Sequence, residues 1–185
     1  GRRAVSQDDL RWIKSLRTDG AEVVYLQGDV SSEADCLRLM KQVRLRFGQL
    51  DALYHCAGIT RDALAINQKQ AQIDEVMSAK VSSCEYLDQA TRIFSVKKFV
   101  LFSSISAVLG TAGQTDYGAA NAYLDAFARR RNEDKTLSGR ALSINWPLWD
   151  VAGMRPDSAS EEWLRDHMGM YPMPPKLGIA LIDQL

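Results

Sequence analysis

No apolar run in the 185 residues approaches the roughly 18–20 needed to span a bilayer, so a membrane-embedded protein is set aside. No charged-then-apolar leader opens the chain. Cysteine is scarce: Cys36, Cys56 and Cys84 are an odd, scattered set. They lack metal-ligand spacing and do not suggest a disulfide framework. Each reads most simply as a reduced thiol filling an apolar stretch, and the expected compartment is cytoplasmic. Histidine is scarcer still, and neither His55 nor His167 is expected to be catalytic. Charge of one sign is not in excess, with Lys+Arg 23 against Asp+Glu 23. No global field therefore recruits nucleic acid or an anionic membrane surface.

What is present is an alternating pattern. The chain is long enough for one domain with a real core, and its 46% hydrophobic and 25% charged residues are ordinary for such a domain. A polar helix is expected over residues 7–18, with Leu10, Ile13 and Leu16 on one side, followed by a strand over 22–26. Ser31 or Ser32 can cap the next helix, where Leu37, Met40, Val43 and Phe47 recur at helical spacing and Gly48 ends the run. A strand over 50–56 leads into Ala57-Gly58. A long helical stretch over 70–93, a strand over 99–103, a helix over 115–133 and a strand over 141–146 stopped by Pro147 complete the core. A short helix is expected near 160–167. Strand and helix in alternation predict a doubly wound parallel sheet with helices on both faces. Ligands in such sheets sit beyond the carboxyl ends of the strands. Those ends are Asp29, Cys56-Ala57-Gly58, Ser103-Ser104 and Trp146-Pro147.

Three residues stand out at those ends: Ser104, closing an apolar strand, then Tyr117 and Asn121, four apart and so on one helix face. Two hydroxyls and an amide can converge there on one substrate oxygen. Taken singly, each has a plain structural role: a strand-end cap, a packed tyrosine, a capping amide.

Together with Asp29-Val30 and His55-Cys56-Ala57-Gly58, the order of these residues resembles the short-chain dehydrogenase/reductases. Most of that superfamily has Tyr-x-x-x-Lys. This chain has Tyr117-x-x-x-Asn121, with a lysine upstream in Ser78-Ala79-Lys80-Val81, an exchange similar to that in the ketoreductase domains of modular polyketide synthases. Leu101-Phe102-Ser103-Ser104, Tyr117-Gly118-Ala119-Ala120-Asn121 and Asn145-Trp146-Pro147-Leu148-Trp149 are also similar to that family. The resemblance implies a Rossmann-like fold and reduction of a β-keto group by NADPH. The substrate would ride on the phosphopantetheine of an acyl carrier protein, among neighbouring domains of a megasynthase. Tyr117 would be the acid, Ser104 would bind the carbonyl, and the Lys80 ammonium would lower the phenol's pKa. Asn121 would orient Lys80 or anchor a relay water.

The resemblance also implies a cofactor site. Arg2 and Arg3 would pair with a 2′-phosphate, and Asp29, beside Val30, would accept from the adenine amino group. Ala57 and Gly58 would allow close approach by a ribose, and Pro147, with Tyr117 and Lys80, would line the nicotinamide end. The family's glycine-rich cofactor turn has no counterpart here. The first β-α-β segment is expected to be absent, making residues 1–185 a single, N-terminally incomplete catalytic domain. Asp62, matching the last position of a Leu-Asp-Asp motif, and Leu109, where the opposite class has tryptophan, imply a D-configured (B-type) alcohol. Residues 150–175 resemble a substrate lid, with Met154, Trp163, Leu164 and Met168 offered to an acyl chain. A free-standing reductase of small or fatty-acyl substrates and an inactive structural half-domain remain the alternatives.

Overall fold

The computed structural model describes residues 1–18, 20–150 and 158–185. Three parallel strands lie side by side in the order β1 (Ala52–His55), β2 (Lys98–Ser104), β3 (Arg140–Trp146). Parallel neighbours need crossovers. The first is α3 (Gln70–Met77), a π-helical turn (Ser78–Ser82) and α4 (Ser83–Thr91); the second is α5 (Ser106–Leu109) and α6 (Thr115–Glu133). Helices α1 (Gln7–Thr18) and α2 (Glu33–Phe47) come before the sheet, and α7 (Ser158–Met168) and α8 (Pro175–Ile182) after it. The fold is a Rossmann-like parallel sheet with helices, as the alternation predicts. No described helix is long and apolar enough to cross a membrane.

Local chemistry explains the boundaries. Ser32 caps α2 by accepting from the Asp35 amide, and Gly48 ends it at φ 74° with its N–H on the Arg44 carbonyl. Asp116 in the first turn of α6 and Arg130 and Arg131 in its last complement the helix dipole. Strand register then sets the core. Leu53, Phe99 and Ala141 lie side by side, and with Leu101 they pack against Leu39 and Met40 of α2, Leu87 and Ala90 of α4, and Leu124 and Phe127 of α6. Phe99, Leu101 and Leu124 are fully buried, each worth about 1.5–3 kcal/mol against exposure.

Several expectations need correction. Residues 22–26 form no strand. Among the described residues its backbone meets the chain start at Gly1 N on Leu26 O (2.9 Å) and, just beyond the segment, at Gly28 N on Gly1 O (3.0 Å), short of the repeated rungs of a ladder. The stretch over 70–93 is helical but broken by the π turn. On α2 the buried residues are Cys36, Leu39 and Met40, while Leu37 and Phe47 stay exposed, because the core contacts a neighbouring stripe of the helix. Only Ile13 of α1 is buried. Cys36 and Cys84 are core residues, but Cys56 is exposed: along β1 Leu53 and His55 point inward and Tyr54 outward, so Cys56 follows the outward phase.

Gly139 carries a sharp packing constraint. It sits at φ +73° just before β3, and a Cβ there would lie 2.0 Å from the Val96 carbonyl oxygen. Gly139→Ala is expected to destabilise the fold by about 2–4 kcal/mol, from left-handed strain plus a backbone clash that must be relieved by movement. A thermal melt checks this, with a fall in Tm of about 5–15 °C expected.

Candidate active site

The carboxyl end of the sheet gathers the chemistry. Ser104 is the last residue of β2, and its Oγ accepts from the Ser106 amide at 3.2 Å, a bond that does not use the hydroxyl's own proton. Tyr117 stands in the first turn of α6, where Gly118 lets the helix lie close to α5: a Cβ on Gly118 would be 3.2 Å from the Ser106 carbonyl oxygen. Lys80, in the π turn, is 3% exposed. Its Nζ donates to the Phe102 carbonyl at 2.7 Å and lies 5.5 Å from the centre of the Tyr117 ring. Lys80 and Tyr117 thus share one side of the β2 terminus.

Burial dominates the electrostatics. It lowers the Lys80 ammonium to about 8, so the side chain is cationic at neutral pH and loses its charge early on the alkaline side. Burial raises the Tyr117 phenol above its ordinary 10.0, hydrogen bonding by Asn121 and Ser104 opposes this, and the Asp62 carboxylate adds to the rise. Burial outweighs the depression expected from Lys80, so the net shift of the phenol is upward. The amine meets the face of the ring, where it is held by Phe102 O, and the phenol keeps its proton across the neutral range. Of the two roles expected of Asn121, the structure bears only on the contact with Lys80. Asn121 is fully buried, and its Nδ2 donates to the Tyr117 carbonyl at 2.8 Å, so it braces the helix turn that carries Tyr117 rather than bonding Lys80. Among the described residues its Oδ1 is a buried acceptor without a hydrogen-bond partner.

A supporting network escaped the sequence reading. Asp125 of α6 accepts from Ser143 Oγ (2.5 Å) and Asn145 Nδ2 (2.8 Å). Asn145 also reaches Ser103 Oγ (3.3 Å) and Ser104 O (3.2 Å), and Ser103 donates to Asn121 O (3.2 Å). These bonds lock β2, β3 and α6 together just behind Ser104 and Tyr117. The signal was present: Ser143 and Asn145 are two apart on a strand and so share a face.

The remaining expected residues are dispersed around this centre. Asp62 accepts from Gln114 Nε2 at 3.0 Å, which ties the loop after Gly58 to the turn before Tyr117. Leu109, at the end of α5, is 57% exposed. Gly58 is small for Lys80's sake: a Cβ on it would lie 3.0 Å from Lys80 Cε. Ala57 and Pro147 are half-buried at the ends of β1 and β3. Arg2 lies 4.0 Å from Asp29 with a largely exposed side chain. Arg3 makes a two-pronged contact with Asp9 (2.9 and 3.1 Å), with its side chain largely exposed. Asp29 Oδ1 is occupied by the amide and hydroxyl of Ser31, and Val30 packs on the core.

Of the lid expectation, Met154 lies outside the described residues. On α7, Trp163 and Met168 are exposed, by 53% and 41%, and Leu164 is half-buried. Trp149 bridges Met173, with Met173 N on Leu148 O at 2.7 Å.

The geometry agrees with the comparisons. The KR domain family matches residues 1–151. Polyketide synthase PksN of Bacillus subtilis (strain 168) is 36% identical over 187 aligned positions, covering 100% of this chain and 3% of that protein. PksL of the same organism is 33% identical over 185, covering 98% of this chain and 4% of that protein. Among solved structures, a ketoreductase domain from the bacillaene assembly line superposes with a TM-score of 0.94 at 37% identity, over 100% of this chain and 45% of that one. An N-terminal ketoreductase from the macrolactin assembly line gives 0.88 at 36%, over 98% and 35%. The chain therefore spans less than half of the solved ketoreductases it resembles and a few per cent of the synthases. A family match over residues 1–151, joined to a serine, a tyrosine and a buried lysine meeting at one strand end, places this chain in the KR domain family, the ketoreductase domains of polyketide synthases.

Proposed function

We propose that this chain takes part in NADPH-dependent reduction of the β-keto group of a polyketide intermediate carried by an acyl carrier protein. One observation carries the reading. The Lys80 amine, held on Phe102 O, lies 5.5 Å from the centre of the Tyr117 ring, and the Tyr117 hydroxyl is within the hydrogen-bonding influence of Ser104. That is the arrangement needed to meet charge growing on a carbonyl oxygen. The relatives' membership of polyketide synthases supports the carrier-bound substrate and the neighbouring domains.

The residues present fit the cofactor at its two ends. Arg2 beside Asp29 offers an exposed guanidinium for a 2′-phosphate, and the ends of β1 and β3 offer Ala57, Gly58 and Pro147 to the nicotinamide side. No residue of the chain takes the part of a glycine-rich pyrophosphate turn. NADPH, when bound, supplies the hydride that reaches the β-carbon. Ser104 donates its proton to the ketone oxygen and fixes its place. Tyr117, kept protonated by burial, delivers its proton to that oxygen as the negative charge develops. Lys80 puts a positive charge beneath the phenol ring and steadies the phenolate left behind. Asn121 holds the backbone of Tyr117, and its Oδ1 is the acceptor on which a water can be anchored to return a proton to the phenolate. Asp62, tied to Gln114 at the mouth, and Leu109 favour the D-configured alcohol. The exposed apolar side chains of α7 are suited to cover an acyl chain.

The test uses the complete ketoreductase domain with NADPH and a β-ketoacyl thioester. The expected result is NADPH oxidation matched by a β-hydroxy product, D-configured on chiral chromatography. A folded domain that leaves the thioester unreduced would overturn the proposal.

A further inference from the structure

The helix bearing Lys80 is irregular where it matters. Residues Ser78–Ser82 form a π turn between α3 and α4, a rare geometry that recurs at functional sites. Ser83 closes it from within. It is fully buried, and its Oγ lies 2.6 Å from Ala79 O and 3.3 Å from Lys80 O. One hydroxyl carries one proton, and the shorter contact takes it. His55 Nε2, 2.9 Å from the same oxygen, must then be the donor. Burial holds its pKa down to about 4, so the imidazole is neutral and has the single N–H that this bond uses. A neutral, 3% exposed histidine at the end of β1 thereby grips the Ser83 hydroxyl, which in turn holds the Ala79 carbonyl inside the π turn, next to Lys80. At the other end of that side chain, Phe102 O holds Nζ and Gly58 leaves just enough room.

Neither His55 nor Ser83 takes any part in the chemistry proposed above, yet both are buried polar side chains spent on this one turn. We infer that His55 and Ser83 are positioning residues that clamp the π turn and so set the Lys80 amine beneath Tyr117. The inference rests on the ketoreductase reading.

Ser83→Ala removes the clamp's shared oxygen while leaving a good helix former, so the fold is kept. In the complete domain, kcat is expected to fall about tenfold, because a small misplacement of a catalytic group is costly, while the KM for the thioester stays within about twofold. The deciding readout is a double-mutant cycle. On a Lys80→Met background, Ser83→Ala is expected to cost nothing further, and His55→Leu to behave alike. An unchanged kcat in Ser83→Ala, or an equal loss on top of Lys80→Met, would show a role in folding alone and overturn the inference. An inactive unsubstituted domain would instead sink the ketoreductase reading beneath it.

Discussion

Tyr117→Phe abolishes most of the turnover, with kcat expected to fall by about 10²–10⁴-fold, the range for losing a positioned general acid. The substitution removes one hydroxyl. It keeps the ring that covers Lys80, so the fold and the binding of NADPH, read by fluorescence titration, are unchanged. Burial holds the Tyr117 proton in place well past neutrality, so the acid form is present throughout the neutral range and its removal cannot be offset by a change of buffer. Turnover within a few-fold of the parent would mean that another group donates the proton.

Lys80→Met is the second large effect. Methionine fills similar space but carries no charge and leaves Phe102 O without the donor that now sits 2.7 Å away. A fall in kcat of about 10²–10³-fold is expected, the scale of removing one preorganised electrostatic contact. The pH dependence identifies the charge. Lys80 is lowered from 10.5 to about 8, so it is cationic below that pH and neutral above it, and the parent's reduction rate should decline as pH rises through about 8. The Lys80→Met rate should be low and flat across the same range. Stability moves the other way. Between about 8 and 10.5 the unfolded chain keeps the lysine proton that the folded chain has released, so the parent gains stability as pH rises through this window. The variant should show no such gain. Parallel pH–rate curves for the two proteins would remove Lys80 from the mechanism.

How far these features could be read from the chain depends on whether they are local. Helix α6 and strands β2 and β3 match the expected spans closely, because caps, dipole-matched charges and short apolar runs are written in neighbouring residues. The segment 22–26 has strand-like residues, but a strand exists only with a partner, and a ladder is not a property of one segment. Likewise, helical spacing marked α2 correctly but not which stripe meets the core, since Cys36 and Leu39 rather than Leu37 are buried. At the site, Ser104 and Tyr117 were legible from their places at a strand end and on a helix, and Lys80 only through family likeness. The π turn, the His55–Ser83 clamp and the Asp125–Asn145 network depend on contacts between distant elements, and so does the balance of burial over charge that keeps Tyr117 protonated.

The central claim is that a serine hydroxyl and a tyrosine hydroxyl meet one ketone oxygen, with the lysine amine on the same side of the sheet. A crystal structure of the complete domain with cofactor and an unreactive β-keto thioester analogue measures this directly. The account predicts the ketone oxygen at hydrogen-bonding distance, about 2.6–3.2 Å, from both Ser104 Oγ and Tyr117 Oη. A ketone oxygen bound away from these two hydroxyls, or a Lys80 amine turned from the Tyr117 ring to the far side of the sheet, would contradict it.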